Sequence, residues 1–92
     1  MPMEPSEEMK KVYRLVREAI DPECVVVEGE TSKRVAIPGV GQVWIGMYID
    51  HVVIRCHTID EDLFERMSDT CGKGLKWSIE AVRDRLQIRV VK

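Results

Sequence analysis

The stretch Gln42-Val43-Trp44-Ile45-Gly46-Met47-Tyr48-Ile49-Asp50-His51-Val52-Val53-Ile54-Arg55-Cys56-His57 decides how this chain folds. Side chains on a strand alternate between its two faces. With Asp50 and His51 as a two-residue loop, Ile49 faces Val52, Met47 faces Ile54 and Ile45 faces Cys56. Together with Val43 these residues make one wholly apolar face. The other face pairs Tyr48 with Val53, Gly46 with Arg55 and Trp44 with His57. A slip of one residue would scramble this segregation, so the pattern specifies which side is core. The loop is not the favoured Asn-Gly type, although Asp tolerates a left-handed backbone.

Working back from the hairpin, Pro38-Gly39-Val40-Gly41 is a turn. Cys24 to Glu28 is a β-branched run, hence a strand, and Lys33 to Ile37 returns as the next strand. A loop at Gly29-Glu30-Thr31-Ser32 would pair Glu28 with Lys33, Val26 with Val35 and Cys24 with Ile37. The reading is a four-strand antiparallel meander over about 23–57. Before it, Ser6 caps a helix whose first turn carries Glu7 and Glu8, matching the helix dipole. Met9, Val12, Tyr13, Val16, Ala19 and Ile20 recur on one helical face. Asp21-Pro22 ends it, because a residue before proline avoids helical geometry. This helix spans 6–20, behind a disordered lead at 1–5, and residues 6–92 form one domain.

Beyond the hairpin, Thr58 is read as the cap of a second helix over 59–71. Ile59, Leu63, Phe64, Met67 and Cys71 share a face, and Gly72 and Gly74 stop it. Residues 75–92 have two readings. Good helical propensity in Glu-Ala-Val-Arg-Asp-Arg-Leu favours a helix at 78–85 and a final strand at 86–91. The alternation of Leu75, Trp77, Ile79 and Ala81, then of Leu86, Ile88 and Val90, supports a hairpin with its loop around Arg83-Asp84. The class is α+β, with helices laid on the apolar face of an antiparallel sheet.

The chain has 92 residues and a formal net charge of −2, which argues against generic nucleic-acid binding through a basic surface but allows a local basic patch. No run approaches the ~20 apolar residues of a membrane span, and no signal peptide is expected at Met1-Pro2-Met3. Three cysteines without paired spacing suit reduced thiols and a cytoplasmic setting. Asn is absent and Gln occurs only at 42 and 87, a hint of a thermophilic source that the five Met and three Cys residues do not support.

Chemistry-bearing residues are few. Cys24, His51, Cys56, His57 and Cys71 lack the paired spacing of a metal site, and Cys56 falls on the apolar face. No metal or cofactor is expected. Cys71, at a helix end, is better read as packing than as a nucleophile, and neither glycine-rich turn has phosphate-loop spacing. No catalytic residue is assigned. The remaining candidate is the face carrying Trp44, Tyr48, Arg55 and His57, extended by Arg34. Aromatic and Arg side chains suit a protein interface. The same groups suit bases and phosphates of a single strand, with Lys33 adding charge. Alternatively Trp77 covers the face as a second small core. Gly46 would leave a gap between Trp44 and Tyr48 that another group could enter. The expected role is a non-catalytic protein-interaction domain, self-associating through this face or a sheet edge. The alternatives are a single-stranded nucleic-acid binder and a small-molecule-binding or hydrolytic protein using Cys71 or His57.

Overall fold

The computed structural model describes residues 5–23, 26–72 and 74–92, with the Cys71 side chain left out. Two helices, α1 (Glu7–Ile20) and α2 (Glu61–Cys71), accompany five strands: β1 (Ser32–Ile37), β2 (Gly41–Met47), β3 (Val52–Cys56), β4 (Lys76–Val82) and β5 (Arg85–Val91). The strands form one sheet in the order β1-β2-β3-β5-β4, every neighbouring pair antiparallel. This is the expected α+β class, but the meander expected to have four strands over about 23–57 has three among the described residues, and β4 and β5 complete the sheet. Among the described residues no helix is long and apolar enough to cross a membrane. The disordered lead expected at 1–5 lies, except for Pro5, outside the described residues.

The β2–β3 hairpin keeps the faces read from the sequence but not its register. Ile45 pairs with Ile54 and Trp44 with Arg55, two residues away from the expected alignment. The loop is Tyr48–His51, with the Tyr48 amide donating to the His51 carbonyl at 2.8 Å. A two-residue loop requires a positive φ, and neither Asp50 nor His51 has one. A slip of two preserves side-chain parity, so Val43, Ile45, Val52, Ile54 and Cys56 are all buried on one face. Ile49, expected in that row, falls in the loop and is exposed.

Two further expectations are overturned. Residues 26–28 are not a strand; 24–25 lie outside the described residues. The segment turns instead, with the Glu30 amide donating to the Val27 carbonyl at 3.0 Å and Gly29 at φ 83°. Its anchor is α1, where the fully buried Arg17 donates through Nε to Glu30 Oε2 at 2.9 Å. Tyr13 Oη donates to the same oxygen at 2.5 Å. A buried guanidinium needs a carboxylate partner, and meeting that need outweighs the β-propensity of the valines. Burial opposes ionising Glu30, but the Arg17 and Tyr13 hydrogen bonds and the Arg17 charge hold its carboxyl below the usual range. Burial, then the Glu30 carboxylate, push the Tyr13 phenol far up.

The second correction is at 78–85, which is strand and turn rather than helix. Val82 pairs with Arg85 around a two-residue loop whose first residue, Arg83, has φ 59°. Trp77, Ile79 and Ala81 lie opposite Val90, Ile88 and Leu86. Pairing these apolar residues across the ladder outweighs local helical propensity.

Both helices begin with caps. Ser6 Oγ accepts from the Met9 amide at 3.2 Å, as the sequence suggested. The second helix starts later than expected: Asp60, not Thr58, is the cap, accepting from the Leu63 amide at 2.8 Å. Met9, Val12, Val16 and Ile20 of α1 and Leu63 and Met67 of α2 pack with the sheet's apolar face into one core. Full burial of each such side chain contributes about 1.5–3 kcal/mol before entropic costs.

Candidate functional site: the open face of the sheet

Strand alternation and register together place the residues of the opposite face. One row crosses the whole sheet as Arg34, Trp44, Arg55, Gln87 and Glu80. The next runs Ser32, Gly46, Val53, Arg89 and Ser78. On the other side of the first row lie Ala36 with Gln42 and Arg85 with Val82. Lys76 and Val91 close the face. Five cations, Arg34, Arg55, Arg85, Arg89 and Lys76, thus share the strands of one face with a single carboxylate, Glu80.

This concentration occurs in a chain whose net charge is −2. Most of the carboxylates sit on α1, α2 and the loops. Among the described residues, Arg34, Arg55, Arg85 and Arg89 make no ion pair within 4 Å. Their charge is available to a ligand.

The aromatic groups form a connected layer. The Trp44 indole folds back across Gly46: a Cβ there would lie 2.1 Å from the ring. The gap expected at Gly46 is therefore filled by Trp44 itself, and glycine is needed for that close approach. The Arg55 guanidinium carbon lies 4.8 Å from the indole centroid, a cation–π contact. Tyr48 meets Trp44 edge-on, with centroids 6.5 Å apart. It also stacks on His51 at 4.9 Å and an interplanar angle of 12°. His51 Nδ1 pairs with Asp50 Oδ1 at 2.5 Å. That hydrogen bond holds the Asp50 carboxyl below its usual range, with the charges of His51 and Arg89 acting in the same direction. Val53, on this same face, is only 2% exposed.

A cleft of about 610 Å³ opens beside Trp44, lined by Arg34, Gln42, Trp44, Arg55, His57 and Arg85 together with Cys56. It brings four of the five residues singled out in the sequence, Arg34, Trp44, Arg55 and His57, to one place. Tyr48, the fifth, touches Trp44 from the hairpin loop but does not line the cleft, and is 40% exposed. Lys33, offered as an extension, alternates to the helix side of β1, since it pairs with Ile45. Trp77 does not cover the site. It is on the helix face, its ring 5.4 Å from that of Phe64.

Arg85, Gln87, Arg89 and Lys76 were not read as site residues. Their signal was present as the polar half of the alternation with Leu86, Ile88 and Val90. What the sequence lacked was the insertion of β5 between β3 and β4, which sets Gln87 beside Arg55.

The thiol readings find little here. Cys56 is buried, burial pushes its thiol up, and Sγ donates to the Leu86 carbonyl at 3.9 Å. Cys24 and the Cys71 side chain lie outside the described residues. Among the described residues no three His, Cys, Asp or Glu side chains gather as metal ligands.

The fold and face define an α+β domain with one helix-covered and one open, cationic sheet surface. Compared with known proteins, the chain matches no protein-family model and no curated sequence.

Proposed function

We propose that this is a non-catalytic binding domain whose open sheet face holds a single-stranded nucleic acid. The observation that carries this reading is the gathering of five cations and one carboxylate on that face of a net-negative chain. Phosphates would sit on Arg34, Arg55, Arg85 and Arg89. Bases would stack on Trp44 and Tyr48, since every base has a π face. Arg55 serves both needs, because its cation–π contact presets the guanidinium next to the stacking surface.

Self-association through this face, the reading preferred from the sequence, is less favoured by the same charges. Two open faces stacked together would oppose arginines with arginines and desolvate both sets.

The test is fluorescence anisotropy of a labelled oligonucleotide titrated with nucleic-acid-free protein over a range of salt concentrations. Four phosphate contacts give a slope of log affinity against log salt of about −3. Arg55→Ala and Arg85→Ala should each flatten that slope by about 0.7. Trp44→Ala should weaken binding roughly tenfold or more through lost stacking. No binding, or binding indifferent to salt and to Trp44, overturns the reading.

A further inference from the structure

The two edges of the sheet are not alike. The outer strand β1 carries Lys33 and Arg34 and runs into Pro38. Charges and proline are common guards against strand addition. β4 also carries two charges, Lys76 and Glu80, but they are of opposite sign; it has neither a proline nor a bulge and pairs in unbroken register with β5 over all seven of its residues. Its other side faces no strand among the described residues. Exposed apolar groups gather along it: Ile79 is 43% exposed, Val82 44%, and Phe64, against Trp77, 48%.

We infer that β4 pairs antiparallel with β4 of a second copy of this chain, about a twofold axis at Ser78, to give a ten-strand sheet across the dimer. A twofold perpendicular to the sheet reverses strand direction and keeps the helix faces on one side. Each register then sets one residue opposite its own copy. With Ser78 at the axis, Trp77 lies opposite the second copy's Ile79, and Ile79 opposite its Trp77. On the open face, Lys76 lies opposite the second copy's Glu80, and Glu80 opposite its Lys76. The sequence Lys76-Trp77-Ser78-Ile79-Glu80 is thus self-complementary on both faces at once.

The neighbouring registers lose this match. An axis at Trp77 or Ile79 removes both ion pairs, and an axis at Lys76 or Glu80 sets like charges together. Cross-strand pairs of opposite charge stabilise a ladder and like pairs weaken it. Glu80 is already oriented on the open face, its Oε1 accepting from Gln87 Nε2 at 3.2 Å. The pairing uses the edge and leaves the Trp44 cleft free, so it stands independently of the nucleic-acid reading.

The experiment is sedimentation equilibrium on the full chain, from micromolar to millimolar, for wild type, Lys76→Glu, Glu80→Lys and the double exchange. Both positions are exposed, and circular dichroism checks that each variant is folded. The wild type should dimerise. Each single reversal creates two like-charged pairs and should weaken the dimer about tenfold or more. The double exchange should recover wild-type affinity to within about threefold. A chain that stays monomeric at millimolar concentration overturns the proposal. So does a dimer that is indifferent to the single reversals, or one that the double exchange does not restore.

Discussion

The two faces of this sheet are made by the same strands, residue by alternate residue, and they follow opposite rules. Ile54 and Arg55 are neighbours on β3. Ile54 points into the helix-covered core and is fully buried; Arg55 lies over an indole in solvent. Among the described residues the core under the helices buries one charged side chain, Arg17, which bonds to Glu30 beside Tyr13. The open face leaves four arginines without carboxylates among the described residues. Burial is therefore concentrated on one side of each strand and cationic charge on the other.

The sharpest way to break this contrast is substitution at adjacent positions. Ile54→Ala should cost about 2–5 kcal/mol in denaturant unfolding, because the surrounding β-branched residues cannot collapse into the cavity. Arg55→Ala should cost less than about 1 kcal/mol, the size of its cation–π contact, while flattening the salt dependence of binding. Equal losses would mean that the open face is structural too.

Next in size is the ionic group of the core. Glu30→Ala strips Arg17 and Tyr13 of their shared acceptor and should cost about 3 kcal/mol. The same carboxylate sets an acid limit. Its folded pKa lies below the ordinary value, so its stabilisation is present above the unfolded pKa and fades as pH falls through the folded one. Unfolding midpoints measured from neutral to acid pH should fall below the ordinary glutamate range. Glu30→Gln should show a shallower fall.

Gly46→Ala tests the open face alone. The new methyl would occupy the space of the indole, so Trp44 must swing away from Arg55. A loss of about 1–2 kcal/mol is expected, with a changed near-ultraviolet circular dichroism signal. The smallest effect is at the β4–β5 loop. Arg83 adopts φ 59°, which favours glycine, so Arg83→Gly should raise stability by about 1 kcal/mol in the same unfolding assay.

The contrast between faces was also what could be read in the sequence. Alternation in 42–57 sorts core from surface because parity survives a two-residue slip, and the true register is such a slip. Loop length was not legible, since it depends on which backbone angles Asp50 and His51 adopt. The α1 boundary was written in Ser6 and in Asp21-Pro22. Asp60 prevailed over Thr58 as a cap, although both residue types can fill that role. Residues 78–85 were misread because isolated propensity competes with apolar pairing to Leu86, Ile88 and Val90, a partnership that exists only in the folded sheet. Four of the seven residues lining the cleft were legible, as Trp44, Arg55, His57 and Arg34. Arg85 was hidden behind strand order, which no local pattern records.

That strand order also has a consequence in time. Three of the four ladders join strands adjacent in sequence, so β1-β2-β3 and β4-β5 can each assemble from local contacts. Only β3 with β5 is remote, pairing Val52 with Val90 across α2. Closing that long segment demands chain entropy before any reward, which makes it the slow step in forming the sheet. The row from Arg34 through Arg55 to Gln87 crosses this seam. The open cationic face is therefore completed late, when the two halves of the sheet meet.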